Sequence, residues 1–161
     1  MAAKKTSLPK PIEYSKAPHM ARIKIELPAH FSFTTQIPVR ITDLNYGGHV
    51  GNDNILSLIH EARVQFLQNH GYEEMNVEGV GLIMSDVGIE FKNELFYGDP
   101  IIASVAAGEF SKLGFEIFYK LEKESAGKRV VVVIAKTTMI SYNYKMKKIT
   151  PFPEAARQKL A

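Results

Sequence analysis

The chain of 161 residues contains no cysteine. That absence excludes disulfide frameworks, thiolate nucleophiles and zinc–thiolate centres, and it fits a reducing compartment. A long hydrophobic run is missing too. The longest, Val130 to Ala135, falls far short of the roughly 18 apolar residues that a membrane span needs. Met1 to Lys16 holds lysine and proline where a signal peptide would place its apolar stretch. These absences predict a soluble, cytoplasmic protein with no membrane partner.

Charge of one sign is also scarce. The formal net charge is +3, and Lys4, Lys5, Lys10 and Lys16 against Glu13 account for it within residues 1–20. The remainder carries 16 basic and 16 acidic groups and is neutral. A basic arm on a neutral body lacks the electrostatic footprint of a nucleic-acid binder, so no nucleic-acid partner is expected. Residues 1–20 read as a flexible basic arm. Residues 21–161 read as one domain, whose hydrophobic content is high enough for a packed core.

Periodicity orders the domain. Arg22 to Leu27 alternates Ile23 and Ile25 with charged residues, a half-exposed strand pattern. Ser32 to Ile41 is a longer β-rich run, and Pro38 within it points to an edge strand or a bulge. The apolar positions of Asn54 to His70 (Ile55, Leu58, Ile59, Ala62 and Phe66) fall at helical spacing, with Asn52 or Asp53 as cap and Gly71 as stop. Tyr72 to Gly79 reads as a short helix or loop.

Four strands follow, at Gly81–Lys92, Ile101–Gly108, Phe115–Glu122 and Arg129–Tyr142. Turns at Asn93–Pro100, Leu113-Gly114 and Ala126-Gly127 join them. In the first of these, Ile83, Val87, Ile89 and Phe91 are expected on one face, opposite Asp86 and Glu90. A helix over Glu154–Leu160 closes the chain. Three antiparallel hairpins after one buried helix give an α+β design, an antiparallel sheet wrapped around one long central helix. That helix covers one sheet face only, so a homodimer or homotetramer is expected.

The loop between the β-rich run and the helix, Thr42 to Asn52, concentrates Asp43, Asn45, His49 and Asn52 around glycines. Glycine lets a substrate approach the backbone, and free N–H groups at a helix start can polarise a carbonyl. A neighbouring carboxylate or amide can place a water. The same composition also describes an ordinary turn with a capping Asp, and spacing alone leaves both readings open.

The run VRITDLNYGGHVGNDNILSLIHEARVQFL resembles the hotdog-fold thioesterases, specifically the 4-hydroxybenzoyl-CoA thioesterase-like acyl-CoA thioesterases. Gly48, His49, Val50, Asn52 and Glu61-Ala62-Arg63 carry the likeness. Ile89-Glu90-Phe91 and Tyr97-Gly98-Asp99-Pro100 extend it, over roughly residues 33–155. The resemblance implies a single hotdog domain and hydrolysis of an acyl-CoA or acyl-carrier-protein thioester. His60 and His70 show no metal-ligand spacing with carboxylates, so no metal is expected, and no cofactor is expected either. Where many members have a catalytic Asp, this chain has Asn45. The set Asp43-x-Asn45 with His49, and Glu90-Phe91-Lys92-Asn93-Glu94, resembles instead the loop and strand of plant-type acyl-carrier-protein thioesterases, with two extra residues before His49.

The implied roles follow from both likenesses. N–H groups near Gly51 and Asn52 hold the thioester oxygen, Gly48 is a further substrate-binding position, and Asn45 orients the water or the carbonyl. Glu94 or Asp43 is the base, and His49 orients or shuttles a proton. Each has a plainer alternative: Asp43 as a loop brace, His49 as a filler, Glu94 as a solvated turn residue. Glu61 reads as an ion-paired structural group beside Arg63, and Asp86 as solvated surface. Lys112, Lys128, Arg129, Lys145, Lys147 and Lys148 are candidates for binding phosphate. The substitution at Asn45 keeps open a non-catalytic acyl-thioester binding dimer.

Overall fold

The helix predicted from residue 54 begins two residues earlier in a computed structural model of the protein, which describes residues 22–161. This helix, α1, spans Asn52–Asn69 and buries Ile55, Leu58, Ile59, Ala62, Phe66 and Leu67 along one stripe. Its cap is Gly51, not Asn52 or Asp53, and no side chain caps it. The Gly51 carbonyl accepts from Ile55 N, and its N–H is tied back to Asp43 O at 3.0 Å, so the chain turns helical one residue ahead of the polar pair. The helix stops as expected. Gly71 takes a φ of +76° and donates to Gln68 O, while Tyr72 donates to Leu67 O. That pair of bonds is the Schellman closure that glycine makes inexpensive.

Strands β1 (Phe33–Pro38), β2 (Gly81–Phe91), β3 (Pro100–Gly108), β4 (Gly114–Ser125), β5 (Lys128–Asn143) and β6 (Lys148–Ile149) form one antiparallel sheet. Its order is β1-β3-β4-β5-β2, with β6 paired to β5. The inward residues of β4 and β5, among them Phe115, Ile117, Leu121, Val133 and Met139, pack with Ile59 and Phe66 of α1 in the core. This is the hotdog arrangement, α+β with the sheet wrapped around one helix. A second helix, α2, covers Glu154–Leu160 as predicted. Pro38 lies at the end of the edge strand β1, where its missing N–H costs no ladder bond.

Three sequence expectations are corrected. β2 does not form a hairpin with β3 but crosses to pair with β5, so two hairpins, not three, join these four strands, and β6 adds a short one at the end of β5. Within β2 a bulge between Met84 and Asp86 shifts the register. Ile83 therefore sits opposite Ile140, whereas Val87, Ile89 and Phe91 face Thr137, Ala135 and Val133. One extra residue reverses the faces on its two sides.

Arg22 to Leu27 is not a strand. It is an extended strap on the outer sheet surface, with Ile25 N donating to Glu90 Oε1 at 2.6 Å. The alternation of isoleucines matches docking across the strands, where Ile23 and Ile25 lie against Gly88. The basic arm expected over residues 1–20 falls outside the described residues. Among the described residues no helix is long and apolar enough to cross a membrane.

Candidate active site

The glycine loop is held from both sides. Ile41–Asp43 is one 3-10 turn, and the Asp43 carboxylate accepts Arg40 N at 2.7 Å. The Asp43 carbonyl accepts both Gly51 N and, at 3.1 Å, Asn54 Nδ2. Asn45 N donates to His49 O at 2.9 Å, and Asn45 Oδ1 accepts Gly47 N at 2.8 Å. Val50 N then donates to Leu95 O at 2.9 Å. This last bond joins the loop to the segment after β2, so Glu94 comes to the start of α1.

There a cavity of about 210 Å³ opens, lined by His49, Asn52, Phe91, Asn93, Glu94 and Val133, with Lys92 at its side. Of the residues singled out in the sequence, the fold brings His49, Asn52 and Glu94 onto one cavity, with Asn45 beside His49. Asp43 is not on its wall. The Asp43 carboxylate is engaged with the backbone, the bracing role that was its plainer reading. Gly48 N donates to Asn45 O and Gly51 N to Asp43 O, so neither of these two N–H groups is available to a thioester oxygen.

The donors that remain are those of α1 itself. With Gly51 as cap, the N–H groups of Asn52, Asp53 and Asn54 have no partner among the described residues. Such orphan groups carry the positive end of the helix dipole and suit a developing oxyanion. The His49 ring is loosely held. Its Nδ1 lies 3.3 Å from Val50 O and 3.5 Å from Asn45 Nδ2, both beyond a strong bond. Space for the ring comes from Gly47, where a Cβ would sit 3.1 Å from His49 Nε2 and 3.1 Å from Asn45 Oδ1. Glu94 has no hydrogen-bond partner among the described residues and is exposed at the cavity.

Lys92 and Asn93 are lining residues that the sequence reading did not single out. Asn93 Nδ2 donates to Val131 O at 2.7 Å, which ties the chain leaving β2 to β5 just before Glu94. Their adjacency to Glu94 in EFKNE was the available signal. Lys92 Nζ meets Glu90 Oε2 at 2.6 Å. That ammonium, then the Ile25 N–H, holds the Glu90 carboxyl below the usual carboxylate range.

Away from the loop, Glu61 makes no ion pair with Arg63. It accepts Gln65 Nε2 at 2.7 Å, because residues two apart on a helix point to different sides. Arg63 pairs with Glu74 instead, and Glu74 also meets His60 Nε2 at 2.8 Å. Asp86 lies on the outer surface and accepts Thr138 Oγ1. A larger recess of about 560 Å³ lies there too, between the strap and β2, with Lys24, Glu26, Asp86, Glu116 and Lys136 on its walls. It is remote from the loop. Among the described residues no three His, Asp or Glu side chains are grouped to hold a metal.

A hotdog sheet with a glycine loop opening onto uncapped helix N–H groups defines the architecture of the hotdog thioesterases. The chain belongs to the thioesterase-like superfamily, whose family model matches residues 39–160. Solved structures share the fold. A 1,4-dihydroxy-2-naphthoyl-CoA thioesterase from Synechocystis is 20% identical with a TM-score of 0.70, over 80% of this chain and 94% of that one. A probable thioesterase from Escherichia coli is 23% identical with a TM-score of 0.68, over 81% and 96%. A mutant 4-hydroxybenzoyl-CoA thioesterase complexed with 4-hydroxybenzoyl-CoA is 14% identical with a TM-score of 0.73, over 80% and 98%. No curated protein sequence matches the chain.

Proposed function

We propose that the protein hydrolyses acyl-CoA thioesters to free acid and thiol. The observation that carries this reading is the uncapped start of α1, with the N–H groups of Asn52, Asp53 and Asn54 open beside His49 and Glu94 on one cavity. The thioester carbonyl oxygen accepts from these N–H groups. A water attacks the carbonyl carbon, Glu94 takes its proton, and the C–S bond breaks. The departing thiolate leaves as the thiol after taking a proton from His49 or solvent. Asn45 holds the loop beside the His49 ring, and Asp43 braces the loop from its other side.

Among the basic candidates, Lys128 and Arg129 stand in the β4–β5 hairpin, at the end of the sheet where Val133 meets Phe91. Lys112, Lys145 and Lys147 belong to turns at the other end, near Gly81 and Tyr142, and Lys148 to β6 beside them. The first pair suits the coenzyme phosphates. Self-association along the edge strand β2 has its support in Met84, Val87 and Phe91, which are 38%, 37% and 52% exposed.

Thiol release from short, long, branched and aromatic acyl-CoAs tests the reading. Turnover is expected to fall at least about a hundredfold in Glu94→Ala. A second reading, an acyl-thioester binder, is favoured by Asn45, whose carboxamide oxygen is occupied by Gly47 N. Saturable acyl-CoA binding without thiol release identifies that case. Release from acyl-carrier protein alone identifies a protein-borne substrate.

A further inference from the structure

On the face of α1 next to the first cavity, Asp53, Leu56, Ser57, His60 and Arg63 form a second one with Met84 of β2, about 390 Å³ in volume. The first turns of α1 run past both: Asn52 and Ile55 line the first, and Asp53 and Leu56, the next residue in each case, line the second. Arg63 is only 6% exposed. Burying a guanidinium is costly unless its five N–H groups find acceptors.

Arg63 Nε donates to Glu74 Oε1. The Tyr119 hydroxyl, itself 2.9 Å from Thr137 Oγ1, is a further polar neighbour of the guanidinium. The neighbour of Nη1 is the Met84 sulfur at 3.9 Å, a weak acceptor. Among the described residues, N–H groups on the Met84 side therefore have no oxygen partner, and that side lines the cavity. Tyr119 and Thr137 are fully buried on the inner sheet face, so the guanidinium stands on a fixed polar support.

Resting on the thioesterase reading, we propose that this cavity receives the far end of the acyl group and that Arg63 donates there to a neutral oxygen, a hydroxyl or carbonyl. Glu74 already neutralises Arg63, and Asp53 adds a negative charge on the same wall. A carboxylate-tipped acyl group is thereby disfavoured. Arg63 stands eleven residues after Asn52, but helical side chains lean toward the N-terminus. That brings its donors to about 10 Å from the oxyanion N–H groups, the reach of an acyl chain of about eight to ten carbons or of two fused rings.

The test compares kcat/KM of the full chain for decanoyl-CoA, 10-hydroxydecanoyl-CoA and decanedioyl-mono-CoA, and for 2-naphthoyl-CoA against its 6-hydroxy analogue. A preference for the hydroxylated member of about tenfold or more is expected in at least one pair, with the carboxylate-tipped substrate worst. Arg63→Met/Glu74→Met removes both charges together, which avoids a lone buried ion, and its ratio should fall to near one. Equal rates in both pairs, a preference for the carboxylate, or a preference surviving in the folded double variant overturns the proposal. If no thioester is hydrolysed, the thioesterase reading fails separately. Calorimetric binding of 10-hydroxydecanoic against decanoic acid then reads the cavity alone. Tighter binding of the former, lost in the double variant, supports the proposal, and equal binding overturns it.

Discussion

The Val50 amide donates to the Leu95 carbonyl at 2.9 Å, and both side chains are buried, 6% and 2% exposed. The chemistry-bearing neighbours on either side, His49 and Glu94, are more open. Two apolar anchors thus bring a loop and a strand end, more than forty residues apart in sequence, into one site. Precision at the surface comes from packing just beneath it.

Gly47→Ala tests whether the placement of His49 matters. The added Cβ would stand 3.1 Å from His49 Nε2 and from Asn45 Oδ1. Asn45 is held by Gly47 N and His49 only by long contacts, so the ring is the group that yields. A displacement of a few tenths of an ångström should lower kcat about tenfold, with a melting temperature within about 2 °C of the parent. Steady-state kinetics beside a thermal melt make the measurement. An unchanged kcat would show that His49 only fills space.

Gly51→Ser should separate stability from activity. A serine cap would accept the Asp53 or Asn54 N–H that the glycine leaves open. Its Cβ would meet Asp53 Oδ1, a contact that rotation of the aspartate relieves. Helix capping should then add a few tenths of a kcal/mol over glycine, while the oxyanion loses a donor and kcat falls about a hundredfold. A variant both more stable and fully active would place the oxyanion elsewhere.

Much of this was legible in the residue order. The apolar spacing from Ile55 to Phe66 gives α1, Gly71 ends it, and the resemblance at Gly48, His49 and Asn52 marks the loop. Two things were not. Partner choice in a sheet is non-local, so nothing near β2 reveals that it pairs with β5. A bulge at Ser85 leaves no trace in a pattern that reads Ile83 and Val87 as equivalent. The state of individual N–H groups was equally hidden. Gly51 N looked free until the turn at Ile41–Asp43 brought the Asp43 carbonyl onto it.

Acid stability should depend on Glu74. Burial alone would raise its carboxyl, but the donors of Arg63 and His60 outweigh that and hold it below its ordinary 4.5. A carboxyl depressed in the fold stabilises above its unfolded value and loses that contribution as pH falls through the folded one. Urea midpoints measured from about pH 7 to pH 3 should therefore drop more steeply below about 4.5 in the parent than in Glu74→Gln. At neutral pH the variant should be weaker by about 1–3 kcal/mol, because Arg63 loses a charged partner. Parallel acid limbs would remove Glu74 from the account.

Glu90 should govern how firmly the strap lies on the sheet. From Ile25, beside β2, to Phe33 in β1, eight residues cross the outer face from one edge of the sheet to the other. Extended chain of that length reaches about 26 Å, and four strand spacings need about 19 Å, so the crossing is taut without being strained. Its described polar anchor at the β2 edge is Ile25 N to Glu90 Oε1, while Glu90 Oε2 holds Lys92 beside the candidate site. Glu90→Ala should free that edge and quicken tryptic cleavage after Lys24 severalfold, since protease reads the open population of a segment. Glu90→Gln, which keeps an acceptor, should retain most of the protection. If parent and both variants are cut at one rate, the isoleucines against Gly88 rather than the hydrogen bond hold the strap.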